Sequence, residues 1–487
     1  MADLKKLTIL HSNDLHGDFL AEQVDAQLIG GVSRLSGYVS KVRREEQNTI
    51  YCIAGDMFRG SVIDSEFRGI STIEIMNMLA PDVVTVGNHE IDYGIAHLLF
   101  LEKCAKFPII NANMRISTTH ARLFKSHYVM EVDGMKILFI GILTESVLSM
   151  AKKEALVGGF VDVQDAASEV ERICNAYNAT DIDCTVLLTH IGFEEDKLLA
   201  AQLDPALGVD IIIGGHSHTF LEAPERVNGI LIAQAGTSTD QIGRFDLEID
   251  TQANRVHSFA WKSIPITDAH CPRDTALEGI LDRYQSAAEE KYSRMITRLK
   301  RQLTHPSWYQ ETELGGLLAD ILQESLRLDL MLVGSGSIRV TELGPIVLLS
   351  NLTECLPYDD AAFALRVTGA QLKKMLLHML RDEVWEGAHC EFFQFSEGMR
   401  VVYDRQSRTL KECSLRGLPI REDAVYKLGL QYYFYLNMKD FFGVSQEEVA
   451  QNGTPRRVAT SCREVLEEYF SCHQNLDRHI SGRLVVE

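Results

Sequence analysis

The chain predicts a layered α/β fold in two domains, and three observations carry that prediction. Short runs of aliphatic and β-branched residues alternate with amphipathic stretches through the first part of the chain. Each apolar run breaks into glycines and polar residues, as strands do where they hand a ligand-binding loop to one edge of a sheet. A charged, proline-free stretch then separates this region from a second one with its own helices and strands. With 487 residues, the chain has room for two to four domains of about 150 residues each.

Taken in order, "KLTILHSND" (6–14), "NTIYCIAGD" (48–56), "PDVVTVGNHE" (81–90), "MKILFIGIL" (135–143), "DCTVLLTHIG" (183–192) and "DIIIGGHSH" (210–218) each read as a buried strand delivering polar residues at its C-terminal end. The stretch "VSRLSGYVSKVRREEQ" (32–47), after Gly30 and Gly31, has helical periodicity. The pattern extends over residues 1–268, and "ITDAHCP" (266–272) marks its limit. Residues 273–303 predict a long exposed connector helix, and residues 304–487 a second α/β domain. That second domain mixes helices such as "LGGLLADILQESLRL" with short strands such as "GMRVVYD".

Composition narrows the function. Lys and Arg number 48 against 68 Asp and Glu, a net charge of −20, which argues against a nucleic-acid partner. No apolar run approaches a membrane span of about 20 residues. The start of the chain has too short an apolar core for a signal peptide. The ten cysteines are scattered, without CxxC pairs, as in thiols of a reducing compartment. A cytoplasmic enzyme acting on a small molecule, with neither nucleic acid nor membrane as partner, is the expectation.

The strand ends carry the chemistry. They present Asp14 and His16 in "NDLHGD", Asp56 in "AGDMFRGS", Asn88 and His89 in "GNHEIDYG", His190 in "LLTHIG", and His216 and His218 in "GGHSH". Oxygen and imidazole donors in this number suit two divalent cations such as Mn, Zn, Fe, Co or Mg. A carboxylate can bridge two ions through its two oxygens, and Asp56 is the natural candidate. Asp14 with His16, and His216 with His218, share a one-residue spacing, which on a strand puts both side chains on one face.

The order D-x-H, G-D, G-N-H-E, H, G-H-x-H resembles the calcineurin-like metallophosphoesterases. The fuller wording "ILHSNDLHGDF", "AGDMFRGS", "TVGNHEIDYG", "FPIINANM" and "IIIGGHSH" is similar to their 5′-nucleotidase family. The resemblance implies a four-layer αββα catalytic domain followed by a smaller α/β C-terminal domain that selects substrate. It implies one cation on Asp14, His16, Asp56 and His218, and another on Asp56, Asn88, His190 and His216. It also implies His89 as the catalytic histidine, oriented by Asp92. The activity implied is hydrolysis of phosphomonoesters, above all nucleoside monophosphates. Cyclic nucleotides, nucleotide pyrophosphates or a non-nucleotide ester stand as the alternative substrates, and a non-catalytic scaffold as the alternative of another class.

In the second domain the resemblance is looser. "GSGSIR" keeps Arg339, with Gly334 at a position where the family has asparagine. "LPYDD" places Tyr358 at one base-stacking position, with Asp360 where asparagine is common. "YYFYLNMKDFF" places Phe434 at the second stacking position and Asp440 at the ribose-binding carboxylate, with Met438 and Lys439 replacing two glycines. Arginines usual before "LGGLLAD" are missing from "THPSWYQETE". Tyr358 and Phe434 therefore read either as a base clamp or as core aromatics.

Overall fold

The computed structural model describes residues 3–25, 27–143, 161–163, 165–177, 180–384 and 391–487. The chain divides into two units, Met1–Ala288 and Glu289–Glu487. Among the described residues no helix is long and apolar enough to cross a membrane.

The first unit is built on β1 (Leu4–Ser12), β2 (Thr49–Ala54), β3 (Val83–Thr85), β4 (Ile109–Ile110), β5 (His127–Val132), β6 (Met135–Leu143), β7 (Cys184–His190), β8 (Ile211–Ile213), β9 (Glu225–Val227), β10 (Ile230–Ala233), β11 (Gln241–Asp250) and β12 (Arg255–Pro265). They form two six-stranded sheets, β12-β11-β1-β2-β3-β4 and β9-β10-β8-β7-β6-β5. Alternation along the strands explains why each apolar run is nearly continuous. Ile50 and Cys52 join Ile137, Phe139, Val186 and Leu188 in a core between the sheets. The intervening Tyr51 and Ile53 face outward under helices α1 (Val32–Glu45), α2 (Ile70–Leu79) and α3 (Ile95–Cys104). On the second sheet Leu138, Ile140 and Leu187 face α4 (Ala166–Ala176) and α5 (Phe193–Gln202). A strand buried on both faces has no polar alternation to show. The result is the expected αββα sandwich.

The connector departs from expectation. Its helix, α6 (Thr275–Tyr292), stops well before residue 303, and Met295–Arg298 is a strand paired antiparallel with Ile346–Leu348. Nor is α6 exposed throughout, since Leu277 and Leu281 enter the first unit's core. Ile296 packs into the second unit's core, and the buried Thr297 pairs with Val347. That non-local pairing overrides a helical local pattern.

In the second unit, helices α7 (Glu313–Ser325), α8 (Gly369–Met379) and α9 (Cys462–Cys472) flank a five-stranded sheet of β13 (Leu330–Gly334), β14 (Ala362–Thr368), β15 (Phe393–Phe395), β16 (Val425–Gln431) and β17 (Arg456–Ala459). The order is β15-β13-β16-β14-β17. Met331 and Val333 face α7 and α9, while Leu330 and Leu332 face α8. The C-terminal segment is tied to α7 by Arg483, which donates to both Asp320 oxygens at 2.7 and 2.9 Å.

Candidate metal centre

β1, β2 and β3 run parallel, as do β6, β7 and β8 in the other sheet. His190, the last residue of β7, meets the Ala54 carbonyl at the end of β2 through Nδ1 at 2.8 Å. The two sheets thus bring their carboxyl ends to one edge, where open α/β folds gather ligands.

The turns leaving these strands have an unusual backbone. Asp14, His16, Asp56, His216 and His218 all have positive φ, at 52, 49, 55, 80 and 53°. Left-handed conformation is uncommon for residues other than glycine, though Asp and His tolerate it better than most. It corrects the strand-face expectation for Asp14/His16 and His216/His218. β1 ends at Ser12 and β8 at Ile213, so the one-residue spacing falls in a tight turn, not on an extended strand. Backbone bonds brace the turns together: Asp14 N to Gly55 O at 3.1 Å and His16 N to Asp56 O at 3.0 Å. Glycines make room at close approaches. A Cβ on Gly87 would lie 2.2 Å from Asp56 Oδ1, and one on Gly215 would lie 2.6 Å from the Ala54 carbonyl oxygen.

The side chains converge. Three groups have ligand atoms all within 4.8 Å of one another: Asp14 with His16 and His218; Asp14 with Asp56 and His190; His16 with Asp56 and His89. Asn88 Oδ1 lies 3.2 Å from His190 Nε2 and 2.9 Å from His216 Nδ1. His216 also gives its backbone N–H to both Asp14 oxygens, at 3.0 and 2.9 Å. Asp14, Asp56, Asn88 and His190 are buried, and His16 and His216 partly so. All seven sequence-predicted ligands therefore meet in one cluster. A nitrogen–oxygen donor set this dense, with His16 and His218 ring nitrogens 2.9 Å apart, fits borderline divalent cations.

Charge is concentrated at the centre. Burial works to raise the Asp56 carboxyl, but the neighbouring His190 and His89 rings outweigh it and hold Asp56 below the usual carboxylate range. For His190 burial works downward, and the Asp56 and Asp14 carboxylates outweigh it and raise the ring. Burial lowers His16 and His216.

His89 stands in a short 3₁₀ turn after β3, with its N–H on Asp56 Oδ1 at 2.9 Å. Its Nδ1 lies 2.6 Å from Asp92 Oδ2. That hydrogen bond raises the His89 ring above its ordinary pKa despite partial burial.

Two further residues were missed by the sequence reading. The buried Glu90 accepts from the backbone N–H groups of Asp56, Met57 and Gly87 at 3.0, 2.6 and 2.7 Å. Arg59 Nη1 sits 2.6 Å from the same Asp92 oxygen that His89 uses. Both lie inside the motifs already quoted, but Arg59 is not a metal-ligand type, and only the packed turns show the Glu90 carboxylate facing backbone N–H groups.

The second unit treats its candidates unequally. The Arg339 guanidinium lies 5.4 Å from the Tyr358 ring, and Tyr358 is 63% exposed. Phe434 is only 3% exposed. It packs edge-on against Phe393 and Phe441 with ring centroids 4.9 and 5.1 Å away, and a Cβ on Gly334 would strike it at 2.2 Å. The core alternative holds for Phe434, because the helical turn Tyr432–Leu436 points it inward and its neighbour Tyr433 outward. Asp440 is exposed on the short helix Met438–Phe442. Trp308, unassigned by the sequence reading, stands 5.4 Å from Arg339 on an exposed loop.

Residues 7–220 match the family model described as calcineurin-like phosphoesterase, and residues 291–446 match that of the 5′-nucleotidase C-terminal domain. The chain is 26% identical to the 5′-nucleotidase of Mus musculus over 98% of this chain and 90% of that one. Among solved structures it resembles a 5′-nucleotidase precursor from Thermus thermophilus (23% identity, TM-score 0.60, 99% of both chains). It also resembles the NAD nucleotidase of Haemophilus influenzae (17% identity, TM-score 0.59, 99% of both chains). At those identities the structural likenesses speak to the fold. The matched models, the shared fold and the donor cluster agree: the chain belongs to the calcineurin-like phosphoesterases that carry a 5′-nucleotidase C-terminal domain, a family of metal-dependent phosphoester hydrolases.

Proposed function

We propose that the protein hydrolyses nucleoside monophosphates with two divalent cations (Mn, Zn, Fe or Co), in the cytoplasm. One cation is assigned to Asp14, His16, Asp56 and His218, and the other to Asp56, Asn88, His190 and His216. The clustering of these donors around Asp56 supports the assignment. Cations bound there would offset the negative charge of a phosphoryl group and acidify an attacking water.

The chain's own residues supply the rest. His89 holds a proton on the ring that Asp92 orients, and passes it to the leaving oxygen as the phosphorus–oxygen bond breaks. Glu90 keeps the turns carrying Asp56 and Asn88 in register through three backbone N–H bonds. In the second unit Arg339, Tyr358 and Asp440 are assigned to the nucleotide, Arg339 through charge and Tyr358 through stacking. The free cysteines (nine among the described residues) are compatible with a reducing compartment.

The observation that carries the nucleotide reading is the similarity to a 5′-nucleotidase along 98% of the chain. The test is phosphate release by Mn²⁺-loaded protein from a panel of nucleoside monophosphates, cyclic nucleotides, dinucleotides and sugar phosphates. Preference for nucleoside monophosphates supports the reading. The burial of Phe434 favours a second one, a phosphoester without a base, and preference for sugar phosphates would select it.

A further inference from the structure

We propose that Arg59 is a positioning residue for the phosphoester hydrolysis, acting through Asp92 on the His89 ring; this rests on the His89 assignment above. Asp92 Oδ2 receives two donors at the same distance, His89 Nδ1 and Arg59 Nη1, each at 2.6 Å. A carboxylate held by one partner alone can rotate about its Cβ–Cγ bond and carry the imidazole with it. Held from two directions, the oxygen is a fixed point, and the remaining ring nitrogen of His89 keeps its aim.

The backbone of Arg59 is held for this task. It has φ of 66°, a strained value for a long side chain. Its N–H donates to Asp64 Oδ2 at 2.8 Å. Asp64 is buried and also accepts from the Tyr93 hydroxyl, at 2.6 Å, and from Thr72. The next residue, Gly60, lies so near the His16 carbonyl that a Cβ there would fall 2.0 Å from its oxygen. Arg59 thus leaves the same turn that carries Asp56, three residues before it, and reaches across to the turn that carries His89. Stability does not explain the pair. The Arg59 side chain is 61% exposed, and an ion pair so placed adds little to stability.

The test is a double-mutant cycle of Arg59→Ala and His89→Asn in the full chain. It is read with adenosine monophosphate, or glycerol phosphate if the former is not turned over, and with p-nitrophenyl phosphate. Arg59→Ala should lower kcat for the alkyl ester by about ten- to a hundredfold, as loss of an orienting partner does elsewhere. KM, metal content and thermal midpoint should hold. The loss should shrink with p-nitrophenyl phosphate, whose leaving group needs less protonation, and Arg59→Lys should restore part of it. In the His89→Asn background Arg59→Ala should cost nothing further. An unchanged kcat in Arg59→Ala overturns the proposal. So does an equal loss in both backgrounds, or a loss confined to KM, since either would make Arg59 a direct contact to substrate. A normal kcat in His89→Asn alone would instead sink the assignment of His89.

Discussion

Asp56 shows how much one side chain is asked to do. Its Oδ2 lies 3.1 Å from His190 and 4.0 Å from His16, and its Oδ1 accepts the His89 N–H. Asp56→Asn keeps the shape and removes the charge. Metal content by elemental analysis should fall, and phosphate release should drop by more than about a hundredfold, beyond what outer-shell losses cost. Phe434 and Trp308 make the opposite pair. Phe434→Ala should cost about 3–5 kcal/mol of stability in urea titration, because it empties a packed core position. Trp308→Ala should leave stability unchanged. It should raise KM for nucleotides and not for p-nitrophenyl phosphate if the exposed ring meets the base. Equal KM values for both substrates would count against that contact.

At the scale of elements, the loop after β8 owes its shape to a buried carboxyl on α5. Asp196 accepts from Thr189 Oγ1 at 2.6 Å and Gln234 Nε2 at 3.1 Å, and it occupies the space a Gly214 side chain would need. Burial pushes its carboxyl up to about 7, against those two hydrogen bonds. The folded state then holds the proton more tightly than the unfolded chain, whose group titrates near 3.8. Its contribution to stability is therefore present in acid and is lost as pH rises through about 7. Asp196→Asn removes this component. The stability of the parent protein minus that of Asp196→Asn, by urea titration, should be larger near about pH 5 than near about pH 8. A difference independent of pH would contradict the burial argument. The elements hardest to read in sequence are the antiparallel β11 and β12. Most of "RVHSFAWKSIP" in β12 is exposed, so it lacks the apolar run that marks β1, β2 and β7, and only its pairing with β11 makes it a strand.

For the whole molecule, two units with separate cores predict separable failures. Arg483→Ala removes the bidentate partner of the buried Asp320 and leaves it Arg478, 2.8 Å away. Loss of those charged hydrogen bonds should cost about 1.5–3 kcal/mol in the second unit. Metal content should stay unchanged, because every assigned ligand belongs to the first unit. Loss of metal in that variant would show that the units do not behave independently. The sequence by itself determined a layered α/β fold and the donor types at the strand ends, which follow from local periodicity and from the few residue types that bind cations. The αββα layering and the family came from the resemblance of its motifs. Only the tertiary structure decided that Asp14, His16, His216 and His218 converge through left-handed turns, that Phe434 is core, and that Arg59 shares Asp92 with His89. It also turned Met295–Arg298 from helix to strand. Each of these depends on partners far away in the chain: His216 meets Asp14 across 202 positions, and Met295 meets Leu348. Periodicity records which face of a segment is apolar, and what that face meets is settled only when the chain is packed.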